Sequence, residues 1–298
     1  MTPAIFLPSI NPELFAVEVF GISLAIRWYA LSYIAGFLIS LIWFVQLVKR
    51  PSLWNNNVPP MDPQSPERLL TWIIIGIIIG GRLGYILFYR LEYFASNPFE
   101  MIKIWTGGMS FHGAGIGMVL ATIFFCKKNK FSLGSTCDAI ALTITPGLLL
   151  GRIANFINGE LYGRITDVSW AVVFSDGPAS FCVDSINGIC SRHPSQLYEA
   201  LLEGVLLCGV LSVLAYRYKA FHKPWLLSGV LFVGYGLARG FVEYFRKADS
   251  QFISETNPMG YVIRFSDWGG LSMGQLLSLP MILVGVCLIY YALSQSRA

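Results

Sequence analysis

A short polar stretch, Gly151–Arg164, carries side chains that could bind a phosphate group. It contains two arginines, one glutamate, two asparagines and a late glycine: Arg152, Arg164, Glu160, Asn155, Asn158 and Gly163. Arginine forks match the oxygens of phosphate, a glutamate can hold such a fork in place, and glycine lets a backbone approach a ligand closely. An uncharged lipid would need no such set, so the stretch favours a phosphate-bearing ligand.

Eight charged side chains lie in or beside apolar segments, where charge is costly and function is the default interpretation. They are Arg27, Arg82, Asp138, Arg152, Glu199, Glu203, Arg239 and Glu243. The alternative is that these residues pair with one another and hold helices together. For Arg82 and Asp138 both interpretations stay open. Glu203 follows Glu199 by one helical turn and can be purely structural.

A second polar group shares one face of a predicted helix. Arg239, Glu243 and Arg246 are spaced by four and three residues, and Tyr235 precedes them by one turn. Helix cohesion would need only one arginine–glutamate pair. An arginine on either side of a glutamate instead suggests an anion site, in which Glu243 orients both forks. We therefore predict that this face binds an anion.

His112 opens a run of small residues, HGAGIG, and is the candidate general base. A lone histidine is more often a hydrogen-bonded core group, but imidazole titrates near neutral pH and can accept a proton. Tyr29 and Tyr235 could do so only with strongly lowered pKa values and otherwise donate hydrogen bonds. The sequence lacks a nucleophile elbow, an H-E-x-x-H motif and cysteines at metal-binding spacing. We expect no hydrolase triad, no metal and no cofactor.

The amino-acid composition indicates that the chain is a membrane protein. Of 298 residues, 55% are hydrophobic and 13% are charged, against about 25% charged in typical soluble domains, and the mean hydropathy is +0.60. The net charge of +4 is too small and scattered for nucleic-acid binding. Apolar stretches predict one all-α polytopic membrane domain over residues 1–298, with seven transmembrane helices: Ile26–Val48, Leu69–Tyr89, Phe111–Phe125, Leu133–Gly151, Gln196–Tyr216, Leu226–Phe245 and Leu271–Leu293.

The distribution of lysine and arginine predicts the orientation. With the N-terminus outside, the cytoplasmic segments are strongly basic and only Asp62 and Glu67 oppose them, so the positive-inside rule favours N-out, C-in. Residues 51–66 then form a cytoplasmic linker of irregular structure. Leu91–Trp105, with apolar residues spaced by three and four, is predicted to be an interfacial helix.

Residues 163–193 are predicted to form a small periplasmic head. WAVVF within this segment alternates like a strand, so we expect some β structure there. Cys182 and Cys190 share this polar segment and would form a disulfide in an oxidising compartment.

Six motifs occur in the order of one known family. In chain order they are IRWY at Ile26–Tyr29, GGRLGYILFY at Gly80–Tyr89, MSFHG at Met109–Gly113, GRIANFINGELYGR at Gly151–Arg164, RHPSQLYE at Arg192–Glu199 and GYGLARGFVEYFR at Gly234–Arg246. MGQLLSLP at Met273–Pro280 fits as well. On these motifs the sequence resembles the prolipoprotein diacylglyceryl transferases, which are bacterial inner-membrane enzymes. Ala114 stands where a second glycine is common in the family, a mild departure beside the candidate base.

The resemblance implies transfer of the sn-1,2-diacylglyceryl group from phosphatidylglycerol to the lipobox cysteine of a prolipoprotein, the first step of lipoprotein maturation. A thioether forms, and glycerol 1-phosphate leaves. The implied partners are phosphatidylglycerol, the prolipoprotein signal peptide and membrane lipids, but no nucleic acid. The active site would face the periplasmic side of the inner membrane.

The same resemblance assigns roles to individual residues. It implies catalytic roles for His112, Arg152, Arg239 and Tyr235. It implies substrate binding by Tyr29, Arg82, Asn155, Asn158, Glu160, Gly163, Glu243 and Arg246. In this scheme the histidine takes the thiol proton, and the arginines stabilise the departing phosphate.

A transporter or flippase for an anionic lipid is the alternative function. Intramembrane arginines and glycine-interrupted helices support it. Against it, the sequence shows no repeat relating two halves, and the charges gather towards one face of the membrane. Product formation from phosphatidylglycerol and a lipobox peptide separates the two functions.

Overall fold

The computed structural model describes residues 5–8, 11, 13–19, 22–176, 178–180, 182, 190–266 and 269–295. Its α-helices are α1 (Trp28–Val48), α2 (Ser65–Tyr89), α3 (Leu91–Ser96), α4 (Phe111–Asn129), α5 (Leu133–Thr143), α6 (Thr145–Ile157), α7 (Ser195–Glu199), α8 (Leu207–Tyr216), α9 (Leu226–Val242) and α10 (Met273–Gln295). A π-helix, Ala200–Leu206, joins α7 to α8. The strands are β1 (Ile5–Leu7), β2 (Glu13–Val19), β3 (Ile22–Arg27), β4 (Val172–Phe174), β5 (Ser191–Arg192), β6 (Ile263–Ser266) and β7 (Gly269–Leu271).

Within the described residues, five helical stretches are long and apolar enough to cross a membrane. They are Trp28–Val48, Ser65–Tyr89, Leu133–Ile157, Ser195–Tyr216 and Met273–Gln295. The other two predicted spans are also helical, but α9 has only 17 residues, and α4 is not among the five. The chain is therefore mostly helical and polytopic, as its composition predicted.

Contacts within the chain define two units, residues 1–40 with 140–298, and residues 41–139. In the second unit, α2 and α4 cross with their backbones in contact. A Cβ placed on Gly80 would strike the carbonyl oxygen of Gly113, and one on Gly117 would strike that of Gly76. Small residues at such spacing let membrane helices approach closely. This crossing fixes the start of α4, which carries His112.

The 51–66 segment is more ordered than the sequence predicted. It forms two 3₁₀ turns, Pro51–Leu53 and Asn55–Asn57. Between them the Trp54 indole is buried and donates a hydrogen bond to the carbonyl of Leu47 at 3.0 Å. Asp62 then accepts hydrogen bonds from the backbone and hydroxyl of Ser65, at the start of α2. A buried tryptophan therefore anchors this segment, and its assignment as a cytoplasmic linker stays a prediction.

The predicted interfacial helix over Leu91–Trp105 is also broken. The short helix α3 is followed by 3₁₀ segments at Pro98–Ile102 and Ile104–Thr106. Pro98 explains the break, because proline lacks an N–H donor and disfavours helical geometry in the residue before it. The side chains of Phe99 and Trp105 in this segment are strongly exposed.

In the first unit, α6, the α7–π–α8 segment, α9 and α10 pack together. A Cβ on Gly204 would strike the side chain of Leu149 on α6, and one on Gly229 of α9 would lie 2.8 Å from the carbonyl oxygen of Gly285 on α10. These close approaches set the distances between the helices that carry the charged side chains.

Short strands gather around the 163–193 segment. The strand predicted from WAVVF is present as β4, which pairs in parallel with β1 and antiparallel with β5. Val172, Phe174 and Ala179 form a small core there. Cys182 and Cys190 form a disulfide, with their Cα atoms 5.8 Å apart.

The first membrane helix begins later than the sequence predicted. Ile26 belongs to β3, which pairs with β2 in an antiparallel hairpin, and α1 starts at Trp28. An alternating run directly before an apolar helix makes this boundary hard to predict, because β-branched and apolar residues suit both structures.

Candidate active site

Six charged side chains of the first unit form a nearly continuous chain of ion pairs, here called the buried ion cluster. Its members are Arg152 on α6, Glu199 on α7, Glu203 on the π-helix, Arg239 on α9, and Glu243 and Arg246 just after α9. Glu199 and Glu203 are 0% exposed, and the arginine side chains are only 13–16% exposed. Such burial is tolerated because each charge has a partner of opposite sign.

Arg152 is held on three sides. Its Nε and Nη2 donate to Oε2 of Glu203 at 3.1 and 2.9 Å. Its Nη1 lies 3.0 Å from Oε2 of Glu199. Its Nη2 also donates to the hydroxyl oxygen of Tyr235 at 3.2 Å, which leaves the tyrosine proton available for another acceptor.

Arg239 lies between two carboxylates. Its Nη1 donates to Oε1 of Glu199 at 2.6 Å, and its Nη2 pairs with Oε1 of Glu243. Glu199 therefore bridges the arginines of two different helices. A Cβ on Gly204 would strike Leu149, so the π-helix and α6 are close enough for this bridge to form.

Glu243 connects the cluster to α10 and to its outer edge. Its Oε2 accepts a hydrogen bond from the hydroxyl of Ser272 at 2.6 Å, and its Oε1 lies 3.5 Å from Nη1 of Arg246. Arg246 in turn lies 3.6 Å from Asp249, whose side chain is 60% exposed. The helical face predicted from the spacing of Arg239, Glu243 and Arg246 is therefore present as a chain of ion pairs.

The pairing also bears on the alternative that these charges hold helices together. Arg152 joins α6 to the α7–π segment, and Arg239 joins that segment to α9. The cluster is therefore structural in part. An anion that bridges Arg152 and Arg239 would have to share their guanidinium groups with Glu199 or replace it.

The 151–164 stretch ends in a compact turn beside the cluster. Glu160 accepts a long hydrogen bond, 3.5 Å, from the amide of Asn155, and its backbone N–H donates to the Asn155 carbonyl at 2.9 Å. The Glu160 carboxylate thus contacts an amide, and it pairs with no arginine among the residues that the structure describes. Asn158 forms the C-cap of α6, and its buried Oδ1 has no hydrogen-bond partner within the described residues.

Two further predicted residues border this turn. Gly163 donates its N–H to the carbonyl of His193 at 3.1 Å, and a Cβ at Gly163 would strike that same carbonyl. Arg164, by contrast, donates to the backbone carbonyl of Arg246 and contacts Met259. Gly163 is therefore needed for close packing, and Arg164 ties two loops together.

Tyr29 and an apolar groove lie on the α1 side of the first unit. The Tyr29 hydroxyl is 3.0 Å from that of Tyr33. Next to it, the faces of α1 and α6 enclose a groove of about 230 Å³ that is almost entirely apolar and is lined by Trp28, Leu31, Ile153 and Ile157 among others. Such a lining suits a hydrocarbon chain.

Arg82 in the second unit is fully engaged by the backbone. Its five N–H groups point at five backbone carbonyls, those of Glu100, Met101, Lys103, Gly107 and Gly108, at 2.5–3.2 Å. The residue is 6% exposed. An arginine has five N–H donors, so none remains for a phosphate. Arg82 thus holds the 100–108 segment against α2, which fits the structural alternative of the sequence analysis; its substrate-binding role stays a prediction.

His112 also lies in the second unit, in the first turn of α4 after the N-cap Ser110, whose hydroxyl accepts from the Gly113 N–H at 3.2 Å. Its side chain is exposed. These facts leave the base role as a prediction.

The sequence analysis noted Glu199 and Glu203 as charged residues within an apolar segment, but it did not include them in the predicted site. Two glutamates one turn apart in an apolar helix are the same kind of signal that identified Arg239 and Glu243. What the sequence could not supply was their partner, because Arg152 lies on a different helix. Ser272 on the α10 side gave no such signal.

Comparisons with known proteins agree across nearly the whole chain. A family model described as prolipoprotein diacylglyceryl transferase matches residues 17–291. A protein of Roseobacter denitrificans is 48% identical over 289 residues, covering 97% of this chain and 98% of its own length. Proteins of Ruegeria pomeroyi and Rhizobium meliloti are 48% and 44% identical over 98% of this chain. All three are named phosphatidylglycerol–prolipoprotein diacylglyceryl transferase.

Proposed function

Because the chain belongs to the prolipoprotein diacylglyceryl transferase family, we propose that it transfers the sn-1,2-diacylglyceryl group of phosphatidylglycerol to a prolipoprotein. The acceptor is the thiol of the lipobox cysteine. A carbon–sulfur bond forms at the glyceryl carbon, the carbon–oxygen bond to phosphate breaks, and glycerol 1-phosphate leaves with the bonding electrons. The thiol proton passes to a base.

The arginines of the buried ion cluster would stabilise the departing phosphate. A departing phosphate gains negative charge, and preorganised N–H donors in a water-poor site stabilise such charge strongly. Arg152 and Arg239 present their forks towards the same carboxylate, so a phosphate could contact both arginines at once. The Tyr235 hydroxyl, already fixed by Arg152, would donate its proton to a third oxygen. Asn155, Asn158, Glu160 and Tyr29 would contact the headgroup.

The thiol proton needs an acceptor, and His112 is proposed for that role from its residue type and its motif. A free thiol has a pKa of about 8.5, and the thiolate is the nucleophile. A base therefore raises the reactive fraction near neutral pH. The cysteines of this chain are not required, because the nucleophile arrives with the acceptor.

Location and orientation complete the proposal. The membrane-length apolar helices support an integral membrane enzyme. We propose the bacterial inner membrane, N-out and C-in, with the ion cluster towards the periplasm. The disulfide between Cys182 and Cys190 supports an oxidising compartment for the segment that contains it.

Purified protein incubated with phosphatidylglycerol and a lipobox peptide tests the function. We expect the peptide to gain the mass of one diacylglyceryl group on its cysteine, and a peptide with serine in that position to gain nothing. Movement of lipid between leaflets without a modified peptide would instead support the transporter.

A further inference from the structure

The charge balance of the buried ion cluster leads to a more specific statement about Glu199. We propose that Glu199 occupies the place of the lipid phosphate between Arg152 and Arg239, and that it takes up a proton from water when the phosphate binds. This inference rests on the proposed function, because it assumes that the anionic headgroup reaches these two arginines.

The bridging geometry of Glu199 is the first observation. One carboxylate oxygen is 2.6 Å from Nη1 of Arg239, and the other is 3.0 Å from Nη1 of Arg152. The two carboxylate oxygens therefore each face a guanidinium group on a different helix. The two non-bridging oxygens of a phosphodiester would adopt the same arrangement. Glu199 thus resembles a bound anion that belongs to the protein.

The bridge is weaker on one side than its distances suggest. The 3.0 Å contact between Arg152 and Oε2 of Glu199 lacks hydrogen-bond geometry, and this buried oxygen has no hydrogen-bond partner within the described residues. Charge attraction remains, but poor alignment weakens a hydrogen bond steeply. Glu199 is therefore less firmly held by Arg152 than Glu203 is, since Glu203 accepts two hydrogen bonds from the same guanidinium.

Arg152 and Arg239 each keep a second carboxylate partner when the Glu199 side chain moves away. Arg152 remains paired with Glu203, and Arg239 remains paired with Glu243. Glu243 is itself held by the hydroxyl of Ser272. Of the three buried carboxylates, Glu199 is the one that contacts both Arg152 and Arg239, so its release frees a donor on each of them while each stays paired.

The proton follows from the charges that face Glu199. Three arginines and three glutamates cancel within the cluster, and Asp249 is exposed to solvent. A phosphodiester brings one more negative charge into a largely buried site, where an uncompensated charge is strongly destabilising. Protonation of Glu199 restores the balance. The resulting carboxylic acid can then donate a hydrogen bond to a phosphate oxygen.

Calorimetric titration with dihexanoyl phosphatidylglycerol, without acceptor peptide, tests the proposal on the wild-type protein. Running it in two buffers of different ionisation enthalpy gives the number of protons bound with the lipid. We expect about one proton per lipid near neutral pH. Binding without proton uptake would overturn the proposal, while diacylglyceryl transfer to the peptide, measured separately, would still stand.

Two isosteric variants identify the carboxylate. Glu199→Gln removes the competing charge, so we expect proton uptake to vanish and the lipid to bind at least about tenfold more tightly. Glu203→Gln should keep the proton uptake. Loss of uptake in Glu203→Gln and not in Glu199→Gln would assign the proton elsewhere and contradict the proposal. Asp249→Asn, which changes an exposed carboxylate, is the matched control and should resemble wild type.

Discussion

At the scale of single residues, the shape of the Arg152 side chain matters as much as its charge. Three of its nitrogens contact three different residues on three segments, Glu199, Glu203 and Tyr235. A lysine would keep the charge but could not reproduce this planar fork. Charge and geometry can therefore be separated by substitution.

We predict that Arg152→Lys lowers kcat by about 10²–10³, as expected when a preorganised donor to the developing charge is lost. The measurement is transfer to the lipobox peptide by membranes matched for protein content. Arg217→Lys, at an exposed arginine that follows α8, should retain wild-type activity. Near-normal turnover in Arg152→Lys would remove the fork from the mechanism.

His112 allows a second prediction at this scale. His112→Gln should lower activity near neutral pH, because the thiol loses its base. Raising the pH towards the thiol pKa of about 8.5 should restore part of that activity, since the thiolate then forms without help. A loss that is the same at all pH values would show that His112 positions substrate and does not accept the proton.

At the level of structural elements, one buried arginine holds a loop of the second unit. Arg82 supplies every N–H it has to the 100–108 segment, whose turn is built on Gly107 and Gly108 at φ values of +83° and +81°. Glycine adopts this backbone conformation readily. The sequence showed that a charge lay at membrane depth but not that backbone carbonyls would surround it, because that depends on the path of the loop.

We expect Arg82→Lys to lower the melting temperature of the purified protein, since each buried carbonyl left without a donor costs about 1–3 kcal/mol. The KM for phosphatidylglycerol of the remaining folded enzyme should be unchanged. Arg90→Lys, at an exposed arginine after α2, is the control. A normal melting temperature together with a raised KM would instead show that Arg82 binds substrate.

The α2–α4 crossing offers a matched pair of glycines. Gly117→Ala should destabilise the protein by about 1–3 kcal/mol, the usual cost of overpacking, because the new methyl group meets the backbone of Gly76. Gly115→Ala on the same helix meets nothing within 4 Å and should be neutral or stabilising by up to about 1 kcal/mol. Thermal or denaturant unfolding in detergent compares them; equal stability would contradict the observed crossing.

Sequence spacing predicted some elements of the site but not others. Arg239, Glu243 and Arg246 fall on one helical face by arithmetic alone, and the structure joins them. The partnership of Arg152 with Glu199 and Glu203 links residues about fifty positions apart and depends on which helices become neighbours. The π-helix at Ala200–Leu206 also had no sequence signal, although such segments often occur at functional sites.

At the scale of the whole molecule, hydropathy predicted a polytopic helical protein but not all of its boundaries. Ile26 was assigned to the first helix, although it lies in a hairpin strand. Trp54 was assigned to an irregular linker, although it is buried. Composition describes a segment's average environment, whereas these boundaries depend on single contacts made in three dimensions.

Orientation is testable at this scale. In a cysteine-free background that retains activity, a cysteine at Ser175, exposed beside β4, should react with a membrane-impermeant maleimide in spheroplasts. A cysteine at Ser294, exposed near the end of α10, should react only after the membrane is opened. The reverse pattern would contradict N-out, C-in.

We propose that Arg152 and Arg239 together bind the phosphate of the lipid. An experimental structure of the protein in lipid nanodiscs with phosphatidylglycerol tests it most directly. We expect phosphate oxygens at hydrogen-bond distance, about 2.7–3.2 Å, from nitrogens of both arginines, with Glu199 moved away from Arg152. A phosphate bound elsewhere, with the Glu199 bridge intact, would contradict it.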